Sequence, residues 1–428
     1  PGINVGSEAY VKATGNTIRG GKAGLLMSGA RSKGMFVENI FEANMDGVVL
    51  REGACPTLER NQIREQTRRG VLVCARGQGM IVDNDIAGSV DANVEVRGEL
   101  QRAVPEDEAK DELEKKKRVY ASLGMLVPVS KDGVTIAGLL TDESGATSVT
   151  LRNNRVSGGG VGVRLADNAK GFVKENVVVG CAGHGMEVSG GADPDVVANE
   201  LRGCGADGLH VGVGGKGRYQ NNVCRDCRGS GVVIEGGAEP DMRANELQAN
   251  GAHGVLVEAG GGGRLSANRI HHNAGFGVKV VGREARTHLR SNRVEACAAG
   301  GVHIVGARDV VMVENEVVGN EGAGVWLSEG ADPLLEKNTV SENGAQGVLV
   351  EGGAHGRLLR NVVECNGAQG VLARDGCAPV LGENFVRRNT GGDFEGATQA
   401  AAAGNGAVPR TGDDADDGDA DDEGDASD

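Results

Sequence analysis

The sequence predicts an all-β protein built as a parallel β-helix, a rod through which the chain winds in short strands. Composition and a regular repeat both indicate this fold. The chain contains 73 Gly among 428 residues, whereas Gly makes up about 7% of an average protein. Its aromatic residues are only six Phe, three Tyr and one Trp. A core must therefore be made of small aliphatic side chains arranged in many similar layers.

The repeat is marked by Asn residues spaced 22, 23 or 24 apart, except across one gap of 70. They are Asn16, Asn39, Asn61, Asn84, Asn154, Asn176, Asn199, Asn222, Asn245, Asn268, Asn292, Asn315, Asn338, Asn361 and Asn384. The residues three before and two after each Asn are mostly apolar. Nine residues after each Asn, Gly usually precedes an apolar–x–apolar pair, as in Gly347-Val348-Leu349-Val350. These are short segments of period two separated by turns, which indicates strands.

Segments this short cannot form a helical repeat, but three of them fit one coil of a β-helix. Each strand then pairs with its equivalent in the next coil, about 4.8 Å away. Parallel crossovers are right-handed almost without exception. The predicted fold is therefore a right-handed single-stranded parallel β-helix, a pectin-lyase-like solenoid with about 23 residues per coil.

Stacked coils explain the Asn column, because a side-chain amide both donates and accepts hydrogen bonds. We expect a structural ladder along the rod and left-handed backbone at the Asn itself. Its central members are Asn176, Asn199, Asn222, Asn245, Asn268, Asn315, Asn338 and Asn361. No catalytic role is predicted for them.

The spacing also predicts the organisation of the chain. Residues 1–97 form the first coils, and 133–396 continue the same solenoid. Between them, residues 98–132 are predicted to be a charged helical insertion, because acids crowd its start and bases its end. Residues 397–428 are predicted to be a disordered acidic tail.

Charge and cysteine content limit the partners. The formal net charge is −15, and ten acidic residues lie between 413 and 428, so phosphate backbones are unsuitable partners and no nucleic acid is expected. The sequence has no run of 18 apolar residues, so no membrane-spanning helix is predicted. Nine Cys are an odd number at low density, which favours a reducing compartment, cytoplasmic or nuclear. The chain starts without Met or a signal sequence, so we expect the true N-terminus to be missing.

Three short patterns could suggest chemistry, but each has a structural interpretation. Gly183-His184-Gly185 is similar to a fragment of polygalacturonase sites, yet His184 occupies a column that varies between coils, as surface positions do. Cys224 and Cys227 occupy inward columns and are expected to be core thiols. His271 and His272 are adjacent, so their side chains are expected to point apart. No catalytic residue, metal ligand or cofactor is predicted.

A binding surface is predicted eleven residues after each ladder Asn, where an outward residue stands between two inward ones. In consecutive coils this position holds His303, Trp326, Leu349 and Leu372. Trp326 is the only Trp in the chain. Exposed apolar stripes on monomers mark binding sites. Ordinary strand propensity also explains Leu at such positions.

The coils alternate between two forms, as in residues 330–338 (Gly-Ala-Asp-Pro-Leu-Leu-Glu-Lys-Asn) and 352–361 (Gly-Gly-Ala-His-Gly-Arg-Leu-Leu-Arg-Asn). With 53–86 and 323–340, these stretches resemble the β-helix region of F-box-only proteins, the substrate receptors of ubiquitin ligases. That region is of the carbohydrate-binding and sugar-hydrolase repeat type. The resemblance covers roughly residues 10–390, but neither an F-box nor a C-terminal zinc segment is present. It therefore implies only the substrate-binding half.

The resulting functional prediction is a non-enzymatic solenoid that presents its lateral face to a protein partner, such as a ubiquitin-ligase substrate. The alternative is a polysaccharide-active lyase or hydrolase, or a carbohydrate-binding β-helix. A purely structural solenoid is the third interpretation. A carboxylate pair on one face would favour the enzyme.

Overall fold

The computed structural model describes residues 1–99, 146–374 and 376–396. These residues form 46 strands and no helix, and the strands pair in parallel into three sheets. The predicted right-handed parallel β-solenoid, of about 15 turns with about 23 residues each, is confirmed. Among the residues described, no helix is long and apolar enough to cross a membrane.

Sheet A has sixteen strands. They are β1 (Ile3–Val5), β4 (Ala23–Ser28), β7 (Asp46–Arg51), β10 (Arg69–Cys74), β13 (Ala92–Arg97), β16 (Val161–Ala166), β19 (Met186–Val188), β22 (Leu209–Val211), β25 (Val232–Ile234), β28 (Val255–Val257), β31 (Phe276–Val281), β34 (Gly300–Val305), β37 (Val325–Ser328), β40 (Val348–Val350), β43 (Val371–Ala373) and β46 (Phe394–Gly396).

Sheet B has fifteen strands. They are β2 (Tyr10–Thr14), β5 (Lys33–Val37), β8 (Thr57–Glu59), β11 (Met80–Val82), β14 (Ser148–Arg152), β17 (Lys170–Lys174), β20 (Asp195–Val197), β23 (Arg218–Gln220), β26 (Asp241–Arg243), β29 (Gly262–Ser266), β32 (Arg286–Arg290), β35 (Val311–Val313), β38 (Leu334–Glu336), β41 (Arg357–Leu359) and β44 (Val380–Gly382).

Sheet C also has fifteen strands. They are β3 (Thr17–Arg19), β6 (Ile40–Glu42), β9 (Gln62–Arg64), β12 (Asp85–Ala87), β15 (Arg155–Ser157), β18 (Val177–Val179), β21 (Glu200–Arg202), β24 (Val223–Arg225), β27 (Glu246–Gln248), β30 (Arg269–His271), β33 (Arg293–Glu295), β36 (Glu316–Val318), β39 (Thr339–Ser341), β42 (Val362–Glu364) and β45 (Phe385–Arg387).

Each coil runs through sheets A, B and C in turn, and each strand pairs with its equivalent in the neighbouring coils. The pairing continues across the long gap in the Asn column, because β11 pairs with β14 and β12 with β15. The rod is therefore unbroken there. The predicted acidic tail lies outside the described residues, as does the predicted helical insertion apart from its first two residues.

The core is a column of aliphatic side chains inside the rod. Except in the first and last coils, the apolar positions three before and two after the ladder Asn, such as Leu58 and Ile63, are buried. Burying one such side chain contributes about 1.5–3 kcal/mol. Cys224 and Cys227 belong to this same buried cluster, and all nine cysteines are free thiols.

The ladder Asn residues lie at the turn between sheets B and C, and all of them except the exposed Asn16 of the first coil are buried. Asn222 shows the repeating pattern: its Nδ2 donates to Oδ1 of Asn245 at 3.0 Å and to the Val196 carbonyl at 2.9 Å. Its own Oδ1 accepts from the backbone N and Nδ2 of Asn199 at 2.9 and 3.0 Å. The amides thus satisfy one another along the rod.

The left-handed residue at this turn is not the ladder Asn, so that part of the sequence prediction was wrong. The residue before the ladder Asn has positive φ instead, as at Ala198 (φ 53°) and Asn221 (φ 54°). The preceding residue turns the chain, and the Asn side chain can then point inward beneath the turn.

Candidate functional site on the outer face of sheet A

The outer face of sheet A carries a central row of side chains, one from each coil, in hydrogen-bonded register. Val49 and Leu72 of this row form a small cluster with Ala23, separate from the main core, so the row points outward. Further along, the row reads Glu95, Arg164, Glu187, His210, Val233, Leu256, Lys279, His303, Trp326, Leu349, Leu372 and Glu395. Charged, aromatic and aliphatic side chains therefore follow one another along this face.

The four residues of the predicted binding stripe lie side by side in this row, on β34, β37, β40 and β43. The rings of His303 and Trp326 are stacked, with centroids 4.1 Å apart and planes within 10°. Phe276 lies 4.8 Å from the His303 ring. The stripe is less exposed than the sequence suggested, because these side chains cover one another: His303 and Leu349 are each only 8% exposed.

A groove opens along this part of the face, and we call it the tryptophan groove. Residues lining it include His303, Trp326, Ser328, Glu351, Leu372 and Arg374. Its floor includes aromatic and apolar side chains, and polar side chains, among them Glu395 of the central row, also line it. There, Ser328 Oγ lies 3.0 Å from His303 Nε2, and Arg374 Nε lies 3.1 Å from a Glu351 carboxylate oxygen. The buried indole Nε1 of Trp326 has no hydrogen-bond partner within the described protein.

Burial lowers the pKa of His303 from its ordinary value near 6.5 to about 4, with a smaller contribution from Lys279 and His253. The unfolded chain therefore binds more protons at this residue than the folded protein between these two pH values. The stabilisation from keeping His303 neutral is complete above pH 6.5 and is lost as the pH falls towards 4.

We therefore expect the wild-type protein to lose about 2 kcal/mol of stability through this one group between pH 7.5 and pH 5. The measurement is urea unfolding at both pH values for the wild type and for His303→Gln, which cannot titrate. Between pH 7.5 and pH 5, the free energy of unfolding of His303→Gln should fall by about 2 kcal/mol less than that of the wild type. Equal losses in the two proteins would show that His303 does not titrate differently on folding.

A second polar cluster lies on the same face, five coils before Trp326. His184 Nδ1 and His210 Nδ1 lie 3.2 and 3.5 Å from the same oxygen, Oδ2 of Asp207. The other oxygen, Oδ1, accepts a hydrogen bond from the Ser230 backbone N at 2.8 Å. His210 Nε2 lies 3.3 Å from a Glu235 carboxylate oxygen. We call His184, Asp207 and His210 the His–Asp–His cluster.

The cluster shifts the pKa values of its members. Burial would raise the pKa of Asp207, but the hydrogen bonds from His184, His210 and the Ser230 backbone outweigh it and hold that pKa far below its usual range. The nearby Asp207 carboxylate raises the pKa of His210, against an opposing effect of burial. Asp207 is therefore a carboxylate at neutral pH.

A third group, near the first coils, is an ion-pair network. Arg69 lies 3.1 Å from Asp46 and 3.7 Å from Glu95, and all three side chains are buried. Arg97 and Arg164 also approach Glu95, at 3.1 and 3.9 Å. These carboxylates all have cationic neighbours, so the network holds the coils together and offers no free acid or base.

The sequence analysis took the variation of the His184 column between coils as the mark of a surface position and therefore missed the cluster. The signal was present: Asp207 follows His184 by one repeat of 23 residues, and His210 comes three residues later. The expectation for His271 and His272 was also wrong, since their Nδ1 atoms lie 2.8 Å apart. His272 has a φ of 55°, so the alternation of an extended strand does not apply there.

The fold and sequence place the chain in a known family. It matches the family described as right handed beta helix region over residues 1–103, 137–294 and 281–390, and therefore belongs to that family. A comparison with curated proteins found no match.

Several solved structures are similar. The A-module of the Azotobacter vinelandii mannuronan C-5 epimerase AlgE6 is 14% identical with a TM-score of 0.54, covering 85% of this chain and 91% of that one. The periplasmic alginate epimerase AlgG is 11% identical with a TM-score of 0.44, covering 76% and 78%. The GH87 α-1,3-glucanase of Streptomyces thermodiastaticus is 12% identical with a TM-score of 0.48, covering 87% and 63%. At these identities the likeness shows the fold alone, and nothing here supports the resemblance to F-box-only receptors.

Proposed function

We propose that the tryptophan groove binds an extended polysaccharide chain. The observation that carries this proposal is the stacked pair of Trp326 and His303 in the groove, with polar side chains among the residues that line it. A sugar ring has an apolar face that stacks on aromatic rings, and hydroxyls that bond to charged or hydroxyl side chains. Ser328, Glu351 and Arg374 supply the second kind of contact.

The shape of the sheet supports a chain ligand rather than a compact one. From Lys279 to Glu395 the central row spans five coil spacings, about 24 Å. A sugar unit in an extended chain is about as long as one spacing, so each coil can meet one unit. The AlgE6 A-module, which has this fold, is by its name an epimerase of mannuronan. A polysaccharide is thus a ligand of the right class and form.

The rival occupant is a protein partner, including a ubiquitin-ligase substrate, as the sequence analysis first favoured. Leu349 and Leu372 favour it, because they continue the apolar floor beyond the aromatic pair. A protein interface would use the same side chains as anchors. The two occupants are distinguished by which of them, a saccharide or a protein, changes the fluorescence of Trp326.

Trp326 is the only Trp in the chain, so its fluorescence reports directly on the groove. We expect oligomannuronate or α-1,3-glucan oligosaccharides to change the emission of Trp326 with a saturable dependence on concentration. Arg374→Ala keeps the fluorophore but removes a polar contact, and it should weaken binding about 10-fold. Arg218→Ala is the matched control, because Arg218 is an exposed, ion-paired Arg on sheet B. It should bind like the wild type.

The outcome against this proposal is equally direct. If neither saccharide changes the emission and Leu372→Asp abolishes capture of a defined protein partner, the groove is a protein-binding surface. If Arg374→Ala and Arg218→Ala weaken saccharide binding equally, the sugar binds elsewhere on the rod.

A further inference from the structure

We propose that the His–Asp–His cluster is a binding site for a divalent transition metal ion such as Zn²⁺. His184, Asp207 and His210 each offer one ligand atom, and these atoms lie within 4.8 Å of one another. Imidazole nitrogens with a carboxylate oxygen are the ligands that Zn²⁺ prefers, whereas Ca²⁺ and Mg²⁺ take oxygens. The site is separate from the tryptophan groove and does not depend on its proposed function.

The distances from the Asp207 oxygen to the two histidine nitrogens fit tetrahedral coordination. Ligands about 2.05 Å from a tetrahedral centre lie about 3.3 Å apart. The two histidine nitrogens lie 3.2 and 3.5 Å from the Asp207 oxygen. An ion can therefore enter between these three atoms with small side-chain movements. The Asp207 backbone N also makes a long contact of 3.4 Å with His184 Nδ1, which metal binding would replace.

The contact of one ligand nitrogen is weak. His210 Nδ1 is buried, and the 3.5 Å that separate it from Asp207 Oδ2 are too long for a hydrogen bond of good geometry. A buried polar atom without such a bond costs free energy. A metal ion bound to Nδ1 would satisfy both this nitrogen and the carboxylate.

The surroundings are those that orient metal ligands. A metal-bound His usually gives its other ring N–H to a carboxylate, and His210 Nε2 faces Glu235 at 3.3 Å. The Ser230 backbone N holds the second oxygen of Asp207, which fixes the first oxygen towards the histidines. Both ligands are thus oriented before a metal arrives.

Three protein ligands leave the fourth tetrahedral position open. The side chains of His184, Asp207 and His210 are 26%, 15% and 16% exposed, so solvent reaches the site. Closed zinc sites have four protein ligands, whereas catalytic ones keep a position for water. The proposed site is of the open kind.

The experiment is a calorimetric titration of the purified full chain with Zn²⁺ alone at pH 7.5. We expect one ion per chain. His184→Ala, Asp207→Asn and His210→Ala should each weaken binding by about 100-fold or more, and Glu235→Gln by about 10-fold. Glu235 is half-buried and touches no ion itself, so this variant tests the site even if a ligand variant folds poorly.

His272→Ala is the control. His272 with His271 and Glu246 forms another place where Zn²⁺ could bind, since the Nδ1 atoms are 2.8 Å apart and His271 Nε2 lies 3.0 Å from Glu246. Ala occupies the equivalent turn position in other coils, as at Ala249 and Ala296, so the substitution should fold normally. We expect unchanged zinc affinity in this variant.

Co²⁺ identifies the ligand type, because thiolate ligands give a strong near-ultraviolet charge-transfer band that nitrogen and oxygen ligands lack. We expect weak visible bands only. The proposal is overturned if Zn²⁺ does not bind in a 1:1 ratio, if the band of thiolate ligands appears, or if His272→Ala loses affinity while Glu235→Gln does not.

Discussion

Replacing Asn222 by Ala should destabilise the rod by about 3 kcal/mol, because this amide is one rung of a continuous ladder. Its removal leaves the Asn199 backbone N and the Val196 carbonyl without the partner that each now has. A buried polar group left unpaired costs about 1–3 kcal/mol, and a small cavity adds to this. In a solenoid each coil is supported by its neighbours, so damage in the middle weakens both halves.

Asn221 provides a matched control, because it is the neighbouring residue and is exposed. Asn221 has a φ of 54°, but Ala occupies the equivalent position with the same conformation at Ala198, Ala244 and Ala267. Asn221→Ala should therefore change stability by less than about 0.5 kcal/mol. The measurement is the urea midpoint by circular dichroism. Equal midpoints for the two variants would mean that the ladder contributes nothing beyond the turn itself.

The fold could be predicted from the sequence because the same positions must be apolar in every coil. The position of Ile63, two residues after a ladder Asn, faces the core in coil after coil, so its apolar character recurs every 23 residues. One apolar residue alone would not indicate which positions face the core. The same position apolar in fifteen aligned coils does. The outward direction of Trp326 follows from the same alternation with its inward neighbours Val325 and Leu327, which are fully buried.

The candidate sites were harder to predict, because they depend on contacts between coils rather than on any one motif. His184, Asp207 and His210 come together only when the coils are stacked in the observed register. Likewise, the stacking of His303 on Trp326 reduces the exposure of both, which the outward position of each alone does not indicate. Turn conformation also matters, as the positive φ of His272 shows.

Glycine nine residues after the ladder Asn is a restriction that the sequence displays and the structure explains. A Cβ at Gly301 would lie 2.3 Å from Val317 Cγ1 and 2.4 Å from the Gly324 carbonyl oxygen. Val317 lies on β36, across the core of the rod, and Gly324 stands opposite Gly301 in the next coil. One exception is Asn93, and the following repeat has Gly159 in the column that holds Asn or Cys in most coils. The Asn93 amide uses that space and donates to the Gly158 carbonyl at 2.8 Å.

Gly301→Ala is accordingly expected to destabilise the protein by about 3 kcal/mol or more, since even one methyl overpacks this contact between coils. No positive φ is involved at Gly301, so the cost is steric. Urea unfolding of the variant and the wild type measures the effect.

Gly319→Ala separates this steric cost from any general cost of replacing Gly in the rod. Nothing lies within 4 Å of a Cβ built at Gly319, and its φ of 62° is close to that of Ala249 and Ala296 in the equivalent turn position. This variant should lie within about 1 kcal/mol of the wild type. If Gly301→Ala were as stable as Gly319→Ala, the coils could separate enough to admit a methyl group. Close packing between coils would then not explain why this column holds glycine.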